Sequence, residues 1–589
     1  MAKLRRRIIL HLALIALAAI VVPASAEAAQ KEELLAVSGE VGRLGGRLVL
    51  AQRSEPKTFN PVLAADNASR EIIHRMMADL IHINRETHKT EPALAKEWKV
   101  SRDGRRYTLR LRRGIRFSDG KPFDAEDVIF TFQVYLDEKL HPPQRDLLII
   151  GGKPITVRKV DSHTVVFELA EPYGAGERIF DSITILPRHI LEIPYREGKF
   201  ASLWGLNASP REIAGLGAFR LKEYVPGQRV VLEKNPYYWK KDQKGQRLPY
   251  LDEIAFLQVP SEDAQVIRFQ AGETHLVSRI SAENYGALER GQAQGQYQLH
   301  DLGASLEYNF LFFNLNDLSK KNLPDVAAKQ TWFRDVSFRR AVSAAIDREG
   351  IVRLVYKGRA TPLWTHVTPG NKLWVNTSIS REAYSLERAR QLLREAGFQW
   401  GADGALRDSA GKPVEFSVLT SAGNTQRLQI ATIIQEDLRK LGMKVQVVTL
   451  EFRALIDRVF QTHNYEACML GLGSGDVDPT SEMNVWLSTG GTHLWNLGQP
   501  KPSTPWEAEM DRLMQQQMTS TSPAKRKRLY DRVQQIVAEQ LPILCIVSPN
   551  ILVGASSNLG NFHPAILDHY TLWNAEQLFL KRDVSSGNQ

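Results

Sequence analysis

Residues 414–450 read VEFSVLTSAGNTQRLQIATIIQEDLRKLGMKVQVVTL. The two ends of this stretch, 414–420 and 443–450, alternate apolar and polar side chains, which is typical of β-strands. Between them, residues 425–442 place apolar side chains at helical spacing and end at Gly442, a common helix terminator. A strand, a helix and a second strand in this order predict a βαβ unit, so part of the sheet is parallel.

A further strand is predicted at residues 465–472, YEACMLGL, and it leads directly into GSGDVDPTSE at residues 473–482. Ligands of open α/β sheets bind outside the carboxyl ends of the strands. Asp476 is therefore predicted to lie in a crevice. Asp478 precedes Pro479, and an Asp-Pro pair is a frequent helix start, so we predict that Asp478 caps the helix that continues through MNVWL.

The first half of the chain has a different pattern. Residues 97–114 and 155–169 alternate apolar and polar side chains around central turns, which predicts two β-hairpins. A strand is predicted at residues 45–52, and a helix begins after Asp124, with Asp127 placed to complete a capping box. The chain therefore combines a hairpin-rich half with a βαβ half, and its 589 residues exceed what one hydrophobic core holds.

The first 26 residues have the pattern of a secretory signal peptide. A basic start, MAKLRRR, precedes an apolar run at residues 8–22 and the small residues ASA at 24–26. We predict export to the periplasm with cleavage after Ala26; the alternatives are cleavage after Ala28 and an uncleaved N-terminal anchor. No cysteine lies near this point to carry a lipid anchor, and no later run is long and apolar enough to span a bilayer.

The sequence shows no motif of a known catalytic or metal-binding class. A phosphate-binding loop and a His-Glu-x-x-His zinc motif are absent, and the 14 histidines show no ligand spacing. Cys468 and Cys545 lie in apolar runs, where buried free thiols are expected. The basic run KRKR at residues 525–528 lies in a polar helical stretch, and we interpret it as a solvated face rather than a nucleic-acid site. We therefore predict neither an enzyme nor a metal site nor a cofactor.

Four stretches of the chain carry a family signature when they are taken together and in order. They are EPALAKEWKVSRDGRRYTLRLRRGIRFSDGKPFDAEDVIFTF (91–132), GLGAFRLKEYVPGQRVVLEKNPYYW (215–239), FRDVSFRRAVSAAIDREGIV (333–352) and YSLERARQLLREAGF (384–398). They resemble the family 5 extracellular solute-binding proteins, which are the dipeptide- and oligopeptide-binding components of ABC importers. The resemblance covers roughly residues 45–575.

This resemblance implies the α/β fold of a class II periplasmic binding protein, in which two lobes close on a ligand held between them. Lobe I would comprise residues 45–303, lobe II residues 304–540, and residues 541–589 would return to lobe I and form the C-terminal tail. The two hinge crossings would lie at residues 308–315 and 541–550. The resemblance also implies a monomer whose partner is an ABC permease in the inner membrane.

The resemblance gives Asp476 a role. In the peptide-binding members, an aspartate in the loop after a strand, shortly before an acid-Pro pair, binds the α-ammonium group of the ligand, and GDVDP at residues 475–479 matches this pattern with one residue fewer. We predict that Asp476 binds that group beside the backbone of Gly473, Ser474 and Gly475, since a buried cation needs a charged partner. The alternative is a solvated or turn-forming aspartate.

Three further residues are candidates for the ligand site. Asp66 and Asn67 lie in the loop after the first strand, which lines the cleft in the family; a surface turn is the alternative. Trp495 lies in a loop among Gly, Thr and His residues, and it is a candidate wall for a ligand side chain or a sugar ring. Trp486 has helical spacing and is predicted to be a core residue.

The favoured function is a periplasmic receptor that binds short peptides and delivers them to a permease. The alternative is the same scaffold with an oligosaccharide, opine, haem or nickel chelate as cargo, because a fold does not fix its ligand. A secreted hydrolase that uses Asp476 and Asp478 as an acid pair is disfavoured, because two carboxylates this close, one of them a helix cap, are badly placed to flank a scissile bond.

Overall fold

The computed structural model describes residues 32–181, 183–293, 295–319 and 321–582. The predicted signal peptide and its cleavage site lie outside the described residues. Up to residue 304 the strands are β1 Leu35–Ala36, β2 Arg47–Gln52, β3 Ile81–Ile83, β4 Thr90–Pro92, β5 Ala95–Val100, β6 Arg106–Leu111, β7 Ile149–Ile150, β8 Lys153–Pro154, β9 Thr156–Asp161, β10 Thr164–Glu168, β11 Phe219–Val225, β12 Arg229–Lys234, β13 Lys240–Lys241, β14 Glu253–Gln258, β15 Leu276–Ser278 and β16 Tyr297–Ala304.

The remaining strands are β17 Glu307–Phe313, β18 Ala360–Pro362, β19 Gln399–Trp400, β20 Leu406–Arg407, β21 Glu415–Ser421, β22 Lys444–Leu450, β23 Ala467–Gly473, β24 Ile543–Ser556, β25 Leu559–Gly560 and β26 Phe579–Leu580. The α-helices are α1 Asn67–Met76, α2 Ala125–Tyr135, α3 Arg188–Arg196, α4 Glu262–Gln270, α5 Ala282–Gly291, α6 Pro324–Phe333, α7 Val336–Ala345, α8 Arg348–Tyr356, α9 Leu386–Glu395, α10 Thr425–Arg439, α11 Phe452–Asp457, α12 Met483–Trp486, α13 Pro505–Thr519 and α14 Pro523–Gln540.

The predicted hairpins of the first half are confirmed. Strands β5 and β6 form one antiparallel pair and β9 and β10 the other, and together they make a four-stranded sheet in the order β5-β6-β10-β9. The turn of the first hairpin has Gly104 at φ +70°, a conformation that glycine adopts readily. Helix α2 has the predicted capping box, because Asp124 accepts from the N–H of Glu126 (2.8 Å) and Asp127 accepts from the N–H of Asp124 (3.0 Å).

The predicted βαβ unit is also confirmed. Strands β21 and β22 are parallel and are connected by α10, and β23 is parallel to β21 on its other side. Among the described residues, these strands form one end of a twelve-stranded sheet. The main strand order of this sheet is β11-β12-β14-β2-β15-β24-β17-β23-β21-β22. Strands β16 and β18 pair with β24 beside this path. The sheet therefore runs through the whole protein, with β24 near its middle.

Two large hydrophobic cores lie on this sheet. We name the elements around the first core lobe I; this core includes Leu48, Phe132 and Phe256. We name the elements around the second core lobe II; it includes Phe313 and Ile434. A smaller cluster of α4, α5 and β16 residues packs beside lobe I. The chain is thus divided into two independently packed bodies of mixed α/β structure.

Two segments connect the lobes. The first is the passage from β16 into β17. The second is β24, whose beginning pairs with β17 and whose later part pairs with β15 and β16. Val547 of β24 lies in the core of lobe II, whereas Ala555 lies in the core of lobe I. The lobe limits that we predicted from the sequence remain a proposal. Because Leu34 and Leu35 pack against the first core, we add residues 32–44 to the proposed lobe I.

Both cysteines are buried free thiols, as predicted. They lie on β23 and β24, which flank β17, so that Phe312 is opposite Cys468 and Phe310 is opposite Cys545. Burial raises the pKa of each thiol well above its usual range. Among the described residues, no helix has both the length and the apolar character needed to cross a bilayer.

Candidate functional site

The loop at residues 473–482 lies where the sequence predicts, at the carboxyl end of a parallel strand. Strand β23 ends at Gly473, which is directly opposite Glu307, the first residue of β17. Since Glu307 follows the first passage between the lobes, the loop lies beside the hinge. Ser474 fixes the start of the loop, because its N–H donates to the carbonyl of Leu306 (3.4 Å) and its hydroxyl donates to the carbonyl of Asp476 (2.6 Å).

Asp478 is a helix cap, as predicted. Its Oδ1 accepts from the N–H of Thr480 (3.0 Å) at the start of a short 3₁₀ segment, Pro479–Glu482, which continues into α12. The carboxylate also binds Arg526 of α14 through two hydrogen bonds, of 2.8 Å and 2.7 Å. Burial alone would raise the pKa of Asp478, but the hydrogen bonds and charge of Arg526 outweigh it and hold the pKa below its usual value.

The pair between Asp478 and Arg526 is a buried part of lobe II. Each side chain is 6% exposed. The remaining N–H groups of Arg526 donate to the carbonyl of Gln517 (3.0 Å) and to the carbonyl of Gly174 (2.6 Å), so the guanidinium is fully hydrogen-bonded. Our interpretation of residues 525–528 as a solvated face is therefore wrong for Arg526, which α14 directs toward the protein interior, although Lys525 and Arg528 are exposed.

Asp476 faces the other lobe. Its Oδ2 accepts a hydrogen bond from Nε of Arg178 (2.7 Å), and its Oδ1 accepts from Nη2 of the same arginine. Arg178 lies in a 3₁₀ segment of lobe I, Gly176–Phe180, and a third N–H of this side chain donates to the carbonyl of His88 (2.8 Å). Asp476 is 21% exposed and Arg178 is 14% exposed, so the pair lies at the edge of solvent.

The lobes touch at a second point, four residues before Arg178. The N–H of Gly174 donates to the carbonyl of Met518 at the end of α13 (2.5 Å). A Cβ atom at this glycine would lie 2.6 Å from the carbonyl oxygen of Gln517 and 2.8 Å from that of Ser520. Only a residue without a side chain fits here, so this contact requires glycine and holds lobe I against α13 and α14.

The two glycines of the loop leave space between the lobes. Gly473 and Gly475 are both exposed, and a Cβ atom at Gly475 would meet no atom within 4 Å. Further charged residues lie beside the hinge. Glu307 accepts a hydrogen bond from Arg427 (3.1 Å), and its carboxylate lies 3.8 Å from the guanidinium of Arg279 of lobe I. The interlobe surface is therefore polar, and both lobes contribute charges to it.

The first-lobe candidates act locally in this structure. Asp66 is the N-cap of α1, where its carboxylate accepts from the N–H of Ser69 (2.9 Å) and from its hydroxyl (2.7 Å). Asn67 is exposed at the first position of α1 and accepts a hydrogen bond from Arg70. The structure thus places both residues at a helix start, and it does not bring them to Asp476.

The two tryptophans lie in the core of lobe II. Trp486 is fully buried, which confirms its assignment as a core residue. Trp495 is also fully buried, with its ring 3.9 Å from that of His493 and its indole N–H donating to Glu507 (3.3 Å). Trp495 therefore presents no ring face to the space between the lobes in this structure, contrary to what its loop composition indicates.

Sequence reasoning did not find Arg178, Arg526 or Gly174 as parts of this site. Arg178 and Asp476 are 298 residues apart, and nothing in the local sequence of either residue points to the other. The Asp-Pro pair at 478 and 479 indicated the cap but not its arginine. The two carboxylates of the loop bind arginines of different lobes, so they do not form the shared acid pair that a hydrolase would use.

The chain is similar to a known family of proteins over most of its length. The model of the bacterial extracellular solute-binding proteins, family 5 Middle, matches residues 89–493. The chain is 29% identical over 566 residues to a probable ABC transporter-binding protein of Deinococcus radiodurans, covering 92% of this chain and 93% of that protein. It is 26% identical over 550 residues to the oligopeptide-binding protein AppA of Bacillus subtilis, covering 91% of this chain and 92% of that protein.

A solved structure shows the same architecture. The periplasmic binding protein MelB of Agrobacterium fabrum, in complex with stachyose, has a TM-score of 0.72 and 21% identity, with coverage of 94% of this chain and 87% of that chain. The two lobes, the two connecting segments and the continuous mixed sheet are those of a class II periplasmic binding protein. Since the family model matches well over half of its residues, the chain belongs to the bacterial extracellular solute-binding proteins, family 5.

Proposed function

We propose that this protein is an exported receptor that binds short peptides between its two lobes and delivers them to an ABC permease of the inner membrane. The observation that carries the proposal is the ion pair between Asp476 and Arg178, because a carboxylate of lobe II here binds a cation of lobe I. A site that already holds a guanidinium across the interface has the charge needed for the ammonium group of a peptide. The name of the relative AppA supports a peptide cargo.

In the proposed complex, the α-ammonium group of the peptide donates hydrogen bonds to Asp476. It replaces Arg178, which donates to this carboxylate in this structure. The exchange is favourable because a carboxylate that hydrogen-bonds a cation in a water-poor cleft makes a strong, charge-assisted contact. The exposed residues Gly473 and Gly475, on either side of the half-buried Ser474, offer the peptide main chain room beside this carboxylate. Contacts with the peptide backbone and ammonium group then give affinity without selecting a particular side chain.

The test compares peptides with free and blocked amino termini. A mixture of peptides three to five residues long is titrated into the protein by calorimetry, and the same mixture is then used after N-acetylation. We expect the Asp476→Asn variant to lose about 2–5 kcal/mol of affinity for the free-amine peptides, as when one partner of a buried charge pair is removed. Acetylated peptides should bind weakly to both proteins.

The matched control is Asp403→Asn, which removes an exposed carboxylate that is also paired with an arginine, Arg407 (2.7 Å). This variant should bind peptides like the unaltered protein. Equal affinity of the Asp476→Asn variant and the unaltered protein for free-amine peptides would contradict the proposed clamp.

The same ion pair also fits a neutral cargo. Hydroxyl groups of an oligosaccharide would hydrogen-bond to Arg178 and Asp476 together and would leave the pair intact, and MelB carries stachyose on this fold. Native mass spectrometry distinguishes the peptide-binding function from the sugar-binding function. The protein is purified without refolding from the compartment to which it is exported. A ladder of masses that fragment as peptides supports the first function, whereas a single sugar mass supports the second.

A further inference from the structure

Lobe I contains a polar cavity that is separate from the loop at 473–482. Its volume is about 80 Å³. Asp79 and His82 line it, and Asp181 lies against His82 on the side of the 3₁₀ segment that carries Arg178. The backbone holds the three residues together, because Asp79 bridges to Thr184 and the N–H of Ile83 donates to Oδ1 of Asp181 (2.6 Å).

The three side chains are arranged as metal ligands are. One imidazole nitrogen and one oxygen from each carboxylate all lie within 4.8 Å of one another. Nδ1 of His82 and Oδ1 of Asp181 are 3.5 Å apart. Two ligands of one tetrahedral Zn²⁺ ion, each bound at 2.0–2.2 Å, are about 3.4 Å apart. Rotation of the Asp79 side chain would bring the third oxygen to the same distance.

The Asp79 carboxyl group is an independent sign of a missing partner. The residue is 9% exposed, and its buried Oδ1 has no hydrogen-bond partner among the described residues. A buried polar oxygen without a partner is costly and rare in folded proteins. A cation bound in the cavity would give this oxygen the partner that it lacks.

The neighbours of the cluster suit a bound divalent cation. Arg85 binds both oxygens of Asp181 (3.2 and 2.9 Å), which orients this carboxylate as the outer hydrogen bonds of metal ligands do. Lys240, another cation of the cavity wall, is paired with Glu576 (2.6 Å), so the carboxyl group of Asp79 remains available to a bound cation.

We propose that Asp79, His82 and Asp181 form a binding site for a divalent transition metal ion, for which Zn²⁺ is the probe. One nitrogen and two oxygen ligands leave a fourth position that faces the cavity, as in open tetrahedral sites. The ion connects β3 to the chain just after Gly176–Phe180. It therefore fixes the segment of lobe I that presents Arg178 to Asp476, without contacting the cargo.

The test is a zinc titration of the full-length mature protein after removal of metals with a chelator, with a chromophoric chelator as the competitor. We expect one equivalent of Zn²⁺ at the site and at least a tenfold loss of affinity in Asp79→Asn and in His82→Gln. Zinc should also raise the melting temperature of the unaltered protein but not that of the two variants. Asp79→Asn replaces a carboxyl group that lacks a partner, so its metal-free melting temperature should be no lower than that of the unaltered protein.

The control is Asp119→Asn, which alters a surface pair of aspartate and histidine, Asp119 and His189, at 2.7 Å. Zinc affinity and the zinc-dependent rise in melting temperature should be unchanged in this variant. The proposal is overturned if the unaltered protein binds no zinc, if Asp79→Asn binds it as tightly as the unaltered protein, or if the loss occurs in Asp119→Asn instead.

Discussion

Two aspartates in one loop, two residues apart, each bind an arginine, but the two pairs differ in place and in completeness. The pair of Asp478 and Arg526 lies inside lobe II with both side chains 6% exposed, and it includes a helix cap. The pair of Asp476 and Arg178 joins the lobes at the edge of solvent, with 21% and 14% of the side chains exposed. The first pair belongs to the folded lobe, whereas the second exists only while the lobes are together.

This difference explains how, in the function that we propose, one short loop would serve both the stability of lobe II and the binding of a ligand. A buried pair whose every donor is satisfied is costly to break, because removal of one partner leaves an unpaired charge inside the protein. A pair at the edge of solvent is weak, because water and salt compete with it. Asp478 therefore fixes the loop, and in the function that we propose a ligand replaces the arginine partner of Asp476.

The largest effect is expected when the buried pair is broken. Arg526→Met keeps the length of the side chain but leaves Asp478 buried without a cation, so we expect a loss of about 3–5 kcal/mol in the free energy of unfolding. Urea denaturation followed by tryptophan fluorescence measures it. If Arg178→Met costs as much as Arg526→Met, the distinction between the two pairs is wrong.

A smaller effect is expected when the lobes are pushed apart by a substitution at a residue outside the two pairs. Gly174→Ala adds a Cβ atom 2.6 Å from the carbonyl oxygen of Gln517, and overpacking of this kind costs about 1–3 kcal/mol. Because the clash exists only in the closed arrangement, we expect weaker cargo binding and a larger radius of gyration by small-angle X-ray scattering, with an unchanged melting temperature of the open protein. Gly491→Ala alters an exposed loop of lobe II, where an added Cβ atom meets no atom within 4 Å, and it is the control for an added methyl group.

The third acid of the loop allows a test by pH. Burial raises the pKa of Glu482 to about 7, although the N–H of Trp486 donates to it (3.0 Å). The unfolded chain releases this proton near the ordinary value of 4.5, so the contribution to stability is complete below pH 4.5 and is lost as the pH rises through 7.

Glu482→Gln should therefore stabilise the protein at pH 8 by roughly 1–3 kcal/mol and have little effect at pH 4. Denaturation curves at the two pH values measure the difference. Glu168→Gln, which alters an exposed glutamate on β10, should show no such dependence. A gain that is equal at both pH values would contradict a raised pKa for Glu482.

The smallest effect is expected at the interlobe pair itself. Arg178→Met should lower the free energy of unfolding by about 1 kcal/mol or less, since pairs near solvent contribute little. The same variant frees the Asp476 carboxylate, so the affinity for free-amine peptides should rise, and the salt dependence of binding should change. Calorimetry at 50 mM and 500 mM salt checks both results, and a fall in affinity would show that Arg178 itself contacts the cargo.

Local patterns in the sequence were sufficient for the hairpins, the βαβ unit and the position of the loop, whereas the two-lobed fold was implied by the family resemblance. The capping box of Asp124 and Asp127 and the cap at Asp478 depend on atoms two or three residues apart, which a short stretch of sequence contains. The strand order around β21 follows from the βαβ unit for the same reason. The carboxyl end of β23 then locates Asp476 without knowledge of the rest of the chain.

The partners of these residues depend on distant parts of the chain and could not be predicted. Arg178 meets Asp476 only because the lobes close, and Arg526 is buried because α14 packs against the segment that Asp478 begins. Charged side chains and loop tryptophans are expected to be exposed, but Arg526 and Trp495 are buried because both contact α13, through Gln517 and Glu507 respectively. A sequence shows which residues are able to cap a helix, but not which arginine another lobe will supply.

The late position of β24 in the sequence affects the order in which the chain folds. Residues 543–556 pair with β15 and β16 on one side and with β17 and β18 on the other, so the two parts of the twelve-stranded sheet are joined only after this late segment has been synthesised and has paired. A nascent chain therefore remains without its joined sheet until most of its length is available. The strand that connects the lobes thus also determines when the two lobes are first held together.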